Sequence, residues 1–226
     1  LTYDEGSDTT STLLCHTIYR LARHNDILQE LREQVQDVAG TSSGVNFSSV
    51  KRMPYLTAVV EESLRVLPPV PNLFPRVVPR GGAEICGHFV PGDSIVTVSQ
   101  LSMNLSSKNF ADATKFLPSR WLGGDEFQND NGKQGSHSAM VLGTVLDRSK
   151  TKLDSLVLNL LMFAAVVLHN AFQGYYRALV LEFDVALAPE SNDWPEKCKG
   201  YDIVLRSPLY VKLRPHQKDG DGGNTT

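Results

Sequence analysis

Five prolines within twelve residues, Pro68 to Pro79, constrain this chain more than any other feature. Proline lacks the backbone N–H and disfavours helix in the residue before it. A helix that arrives from the N-terminal side must therefore end before Pro68. The proline-rich segment itself is predicted to be extended and stiff, so the chain divides into a helical part and a part built from short strands.

The part before the prolines has the periodicity of helices. Apolar residues recur at spacings of three and four from Ser7 to Val38, with a polar break at His24 to Asp26. The break predicts two helices, the second capped by Asn25 or Asp26. A third helix is predicted to begin at Pro54, because proline suits the first helical position.

The part after the prolines changes to a period of two. Strands are predicted at Ala83 to Val90 and at Ser94 to Val98, joined by a turn at Pro91-Gly92-Asp93. Two further strand-like runs, Asp202 to Leu205 and Leu209 to Leu213, lie near the end of the chain.

The run Leu156 to Leu168 is almost entirely apolar. A membrane span needs about 18 such residues, so this run is predicted to be a buried helix. A short helix is expected within Asn104 to Ala113.

Composition excludes several classes of function. The chain has 22 basic and 25 acidic side chains, so no nucleic-acid surface is expected. Its cysteines, Cys15, Cys86 and Cys198, are far apart, which argues against a disulfide framework or a zinc site and favours a reducing compartment. No signal-like leader opens the chain, so we expect no membrane anchor in it and, for the chain alone, a cytosolic location.

Glu62 and Arg65 lie three residues apart on the third predicted helix and therefore on one face of it. An isolated pair of this kind is usually a solvated surface ion pair. The alternative is a buried network completed by Arg120, which belongs to an F-x-P-x-R-W sequence at Phe116 to Trp121. Such a network can pin a loop to a helix when every member is satisfied.

Asp8 and Thr9, within G-S-D-T-T, also allow two interpretations. An acid beside a hydroxyl near the start of a helix is usually a cap. The functional alternative is an acid–alcohol pair that delivers protons to a bound ligand.

Taken in order, G-S-D-T-T, E-S-L-R within VVEESLRVLPPVP, and F-x-P-x-R-W resemble the C-terminal half of a cytochrome P450, a haem-thiolate monooxygenase. The resemblance covers residues 6–124 and resumes over 177–214. It implies a mainly α fold with a small β component, that is, a partial cytochrome P450 fold, and haem as the cofactor.

The resemblance also implies roles for individual residues. Asp8 and Thr9 match the proton-delivery pair of the helix that crosses the distal face of the haem. Glu62, Arg65 and Arg120 match the structural Glu–Arg–Arg network of the family. Arg76 matches, more loosely, a basic residue that pairs with a haem propionate.

The chain departs from the family in one decisive way. The family's F-x-x-G-x-R-x-C-x-G stretch, whose cysteine binds the iron, is missing, and residues 122–181 contain no cysteine. No metal ligand is therefore assigned. His137 and His169 lie in that interval, but a lone histidine is more often an ordinary core or surface residue. A smaller departure is Glu5, where the family has a small residue.

These observations predict four regions. Residues 1–132 are family-like and end with the F-x-P-x-R-W sequence, and 175–216 are family-like again. Residues 133–174 form an unmatched insert, which a reading-frame change or a retained intron would explain. Residues 217–226 are predicted to be a disordered tail.

The resulting expectation is a truncated monooxygenase that is inactive as written, because the axial cysteine is absent. By family, its partners would be a NADPH-cytochrome reductase and a lipophilic metabolite, as in fungal specialised metabolism, and the full-length protein would be at the endoplasmic reticulum membrane. Two alternatives are a non-catalytic remnant that keeps the scaffold without metal chemistry, and a small helical binding module unrelated to haem.

Overall fold

The computed structural model describes residues 4–40, 53–72, 75–130, 176, 179–200 and 204–216, and within the first two helices it describes side chains only from residue 11 to 37. These residues form α-helices, short 3-10 helices and two-stranded antiparallel sheets. Helices and small sheets together agree with the predicted class, mainly α with a small β component.

Three helices form the N-terminal part: α1 (Asp4–Arg23), α2 (Asn25–Gly40) and α3 (Pro54–Val66). The predicted break after α1 and the predicted start at Pro54 are confirmed. The predicted cap at Asn25 or Asp26 is wrong, because α2 already begins at Asn25. His24 donates its N–H to Arg20 O and accepts from Leu28 N, both at 3.0 Å, so the helical ladder passes almost unbroken through the junction.

The apolar faces of these helices make the core. Leu31 of α2 and Leu56 and Val59 of α3 are almost completely buried, and Phe116 packs against them from a later loop. Tyr176, near the C-terminal part, is buried in the same cluster. One core therefore joins the N-terminal helices to segments more than fifty residues downstream.

The strands after the prolines pair differently from the prediction. The run 83–90 is itself a hairpin, in which β2 (Ala83–Ile85) pairs with β3 (His88–Val90). Cys86 and Gly87 form its two-residue turn with φ of +52° and +78°. Positive φ at both turn residues suits the twist of a hairpin, so the chain reverses there and not first at Pro91.

The turn at Pro91-Gly92-Asp93 instead returns the chain to the proline-rich segment. There β1 (Arg76–Val77) pairs with β4 (Ile95–Val96), and Val78 and Ser94 continue the pairing through a 2.9 Å bond from Val78 N to Ser94 O. The short helix α4 (Gln100–Asn104) follows, earlier than the expected position within 104–113.

The two predicted C-terminal strands do not pair with each other. A strand that the sequence reading missed, β5 (Phe183–Leu187), pairs with β8 (Val211–Pro215). The other predicted run forms β7 (Val204–Leu205), which pairs with β6 (Lys199–Gly200). Between β5 and β6 lie a 3-10 turn, Pro189–Ser191, and the short helix α5 (Trp194–Lys197).

Some predictions fall outside the described residues. These are the buried helix at 156–168, the insert at 133–174, and the tail at 217–226. In the described helices, length and apolar character are insufficient for a bilayer crossing.

The core can be tested at Leu31. Leu31→Ala should lower the free energy of unfolding by about 2–5 kcal/mol, because it removes buried methyl groups and leaves a cavity. Urea unfolding followed by circular dichroism measures this. Leu205→Ala makes the same change at a half-exposed position of β7 and should shift stability by about 0.5 kcal/mol or less. Equal effects at the two sites would contradict the assignment of the core.

Candidate functional site

Glu62 and Arg65 form a two-pronged ion pair on α3. Arg65 Nε donates to Glu62 Oε2 and Arg65 Nη2 donates to Glu62 Oε1, both at 2.8 Å. Both side chains are completely buried. A solvated surface pair is therefore excluded here, and the pair belongs to the strong, bidentate class.

Arg65 uses its remaining N–H groups to bind backbone. It donates to the carbonyls of Asn104 at 2.8 Å, Ala113 at 2.6 Å and Lys115 at 2.8 Å. Asn104 Nδ2 returns a hydrogen bond to Arg65 O at 3.0 Å. With the two bonds to Glu62, all five guanidinium donors have acceptors, so α3 is fixed to the loop from 104 to 115.

Arg120 reaches the same carboxylate from the 3-10 helix Pro118–Leu122. Its Nε lies 3.4 Å from Glu62 Oε2, while Nη2 donates to Ala111 O at 2.8 Å. Its guanidinium stacks over Phe127, 4.7 Å from the ring centroid. The structure thus brings together the three residues of the predicted network.

The sequence reading missed a second buried acid. Asp130 pairs with Arg120 Nη1, and its other oxygen accepts from Ala111 N at 2.7 Å. Glu62 and Asp130 therefore balance the charges of Arg65 and Arg120, as buried charges require. Asp130 lies in a hydrophilic loop, where an aspartate is usually solvated. The one signal for its role in the sequence is that it follows the F-x-P-x-R-W sequence by only nine residues.

Trp121, the last residue of the F-x-P-x-R-W sequence, binds Glu62. Its Nε1 donates to Glu62 Oε2 at 2.9 Å, and the backbone N–H of Leu117 donates to Glu62 Oε1 at 2.8 Å. Glu62 thus binds both ends of the 117–121 segment. The indole donor is the second member of the network that the sequence reading did not assign.

The other predicted residues belong to different elements of the fold. Asp8 and Thr9 fall in the second turn of α1, which begins at Asp4, so their position does not suit the capping interpretation. Arg76 is the first residue of β1, opposite Val96, and is half-buried.

The three cysteines do not fit an axial thiolate. Cys86 is exposed at the tip of the β2–β3 hairpin. Cys198 follows α5, and its Sγ donates to Trp194 O at 3.4 Å. Cys15 lies on α1 itself, beside Arg206 and Cys198. Burial raises the pKa of the Cys15 and Cys198 thiols.

Comparison with known proteins identifies the family. A family model described as cytochrome P450 matches residues 3–140. This chain belongs to the cytochrome P450 family. Members of that family carry haem as their cofactor. The residues described in this chain do not fit a haem-thiolate centre, because none of the three cysteines lies where the family has its iron ligand, between the F-x-P-x-R-W sequence and the final helix.

The chain also resembles fungal cytochrome P450 monooxygenases. It is 34% identical to aclL of Aspergillus oryzae, 33% to efuB of Hormonema carpetanum and 33% to lcsI of Purpureocillium lilacinum. The alignments cover 93%, 92% and 93% of this chain, but 39%, 38% and 37% of those proteins. The chain therefore spans well under half the length of the curated relatives it matches, and in that sense it is a fragment.

The buried acid Glu62 should be essential for stability. Glu62→Gln leaves Arg65 and Arg120 without their shared charge and should cost about 3–5 kcal/mol of unfolding free energy. Glu33→Gln makes the same change at an exposed position of α2 and should alter stability by about 0.5 kcal/mol or less. Chemical denaturation of both variants measures the difference. A loss of unfolding free energy in Glu62→Gln no larger than that in Glu33→Gln would refute the network.

Asp130 provides an independent test. Asp130→Asn keeps the shape but removes the charge opposite Arg120, and should cost about 1.5–3 kcal/mol, the range for hydrogen bonds to charged groups. Asp125→Asn, an exposed neighbour in the same loop, is the control. Thermal unfolding of the two variants measures the difference, and equal midpoints would show that Asp130 does not balance Arg120.

Proposed function

We propose that this chain carries the C-terminal core of a monooxygenase that oxidises a lipophilic metabolite. The proposed reaction uses dioxygen, two electrons and two protons, places one oxygen atom in the substrate and releases the other as water. The observation that supports it is the buried cluster of Glu62, Arg65 and Arg120 in a chain of the cytochrome P450 family. The electron donor in this proposal is a NADPH-cytochrome reductase.

The roles of the remaining site residues belong to the same proposal. In a complete member, Asp8 and Thr9 would deliver protons from the helix α1, and Arg76 would bind a haem propionate. Glu62, Arg65 and Arg120 would act only structurally, by fixing α3 to the loops that follow it. The named relatives are fungal monooxygenases, which favours a substrate from fungal specialised metabolism and an endoplasmic reticulum location for the full-length protein.

For the 226-residue chain as written, we propose a scaffold without thiolate-bound iron. Residues 122–181 contain no cysteine, and the three cysteines elsewhere are placed as described above. The block 133–174 is proposed to replace the family's cysteine-containing loop, through a reading-frame change or a retained intron. The match to the family model ends at residue 140, inside that block.

The carbon monoxide spectrum tests this proposal. The purified chain, mixed with haem, reduced with dithionite and exposed to carbon monoxide, should give no thiolate-type Soret band, because no cysteine is placed to bind the iron. The full-length monooxygenase aclL, treated identically, is the positive control. A thiolate-type band from the 226-residue chain would overturn the proposal.

Sequencing of the transcript tests the origin of the block. Reads that encode an F-x-x-G-x-R-x-C-x-G stretch in place of 133–174 would support a frame change or a retained intron. Uninterrupted reads that encode residues 122–181 as written would refute it.

A further inference from the structure

His16 lies at the junction between α1 and α3 and is completely buried. Its Nδ1 is 3.1 Å from Ser63 O on α3, next to Glu62 in the chain. Its Nε2 accepts a 2.9 Å hydrogen bond from Arg20 Nε, one turn further along α1. The indole of Trp194 stacks on the ring with a centroid distance of 6.5 Å.

These two neighbours determine the protonation of the ring. A backbone carbonyl can only accept, so Nδ1 must carry the hydrogen that Ser63 O binds. A guanidinium can only donate, so Nε2 must present its lone pair to Arg20. Both nitrogens are therefore satisfied only in the neutral tautomer with hydrogen on Nδ1. A second proton on Nε2 would meet the N–H of Arg20 directly.

The charges around the ring also favour its neutral form. From α1 the ring faces Arg20, which itself interacts with Tyr19 and Arg23 on α1 and with Glu62 and Arg65 from α3. From α5 it faces the uncharged indole of Trp194. Burial first, and then Arg20, lower the pKa of His16 to about 3.

We infer that His16 is a positioning residue that holds α1 in register with α3 only as a neutral ring, which makes this joint between the two helices sensitive to acid. The helix α1 carries Asp8 and Thr9, and α3 carries Glu62 and Arg65. The contact of His16 with Ser63 therefore sets the position of one helix relative to the other. The inference rests on the contacts of His16 and holds whether or not the proposed oxidation takes place.

A cleft lies beside Arg20. It has a volume of about 390 Å³, and its lining includes Arg20, His24, Lys115 and Phe116. The Arg20 guanidinium lies 5.7 Å from the centroid of the Phe116 ring.

The sign of the pH effect follows from the two states. The unfolded ring titrates near 6.5, whereas the folded ring titrates near 3. Between these values the unfolded state binds one more proton, so the stability due to His16 falls as the pH drops from 6.5 towards 3. Between pH 7.5 and pH 5.0, His16 should reduce the folding equilibrium constant by about thirtyfold.

The experiment compares the full chain with two variants in urea unfolding from pH 7.5 to 5.0. In His16→Asn, Nδ2 can still donate to Ser63 O, but no group titrates at this position. Its proton uptake on unfolding near pH 5.5 should be about 0.9 lower than that of the wild type. His88→Asn makes the same change at an exposed position of β3 and is the matched control.

Equal proton uptake in His16→Asn and wild type would overturn the inference. If His16→Asn does not fold, nitrogen NMR of the histidine-labelled wild type decides. A His16 ring with hydrogen on Nδ1 and no titration between pH 7.5 and 5.0 supports the inference. Hydrogen on Nε2, or titration in that range within the folded state, refutes it.

Discussion

The carboxylate of Glu62 is the interaction on which the described structure depends. It accepts two bonds from Arg65 on its own helix, one from the backbone of Leu117 and one from the indole of Trp121, and Arg120 lies 3.4 Å away. The donors come from two stretches of chain, α3 itself and the segment 117–121. Because an unpaired buried charge is so costly, this carboxylate favours the placement of the loop from 104 to 130 on α3 in which these groups meet it.

The neighbouring helix is fixed to the same place by a different kind of bond. His16 of α1 binds the carbonyl of Ser63, the residue after Glu62, and Arg20 of α1 binds His16. The Glu62 network depends on charged groups that must all be present. The His16 contact depends on a ring that must stay uncharged. Together they place α1, α3 and the F-x-P-x-R-W loop around one core.

The sequence predicted the features that depend on local rules. Proline set the beginning of α3 and its end, and apolar spacing placed α1 and α2. The spacing of Glu62, Arg65 and Arg120 raised the network as an alternative to a surface pair. Strand pairing that depends on tertiary contact was not predicted. The strand β5 was missed, and Ile95–Val96 pairs with Arg76–Val77 although the turn at 91–93 was predicted to join it to the run 83–90. Asp130 and His16 were missed because their chemistry comes from what surrounds them.

The central claim is that Glu62 orders the loop from 104 to 130. Hydrogen exchange followed by mass spectrometry, comparing wild type with Glu62→Gln under native conditions, tests it most directly. The account predicts faster exchange in the variant at the amides of Ala111, Leu117 and Arg120, while the β5–β8 pair, held by its own ladder, keeps its protection. Unchanged protection across 104–130 in the variant would contradict it.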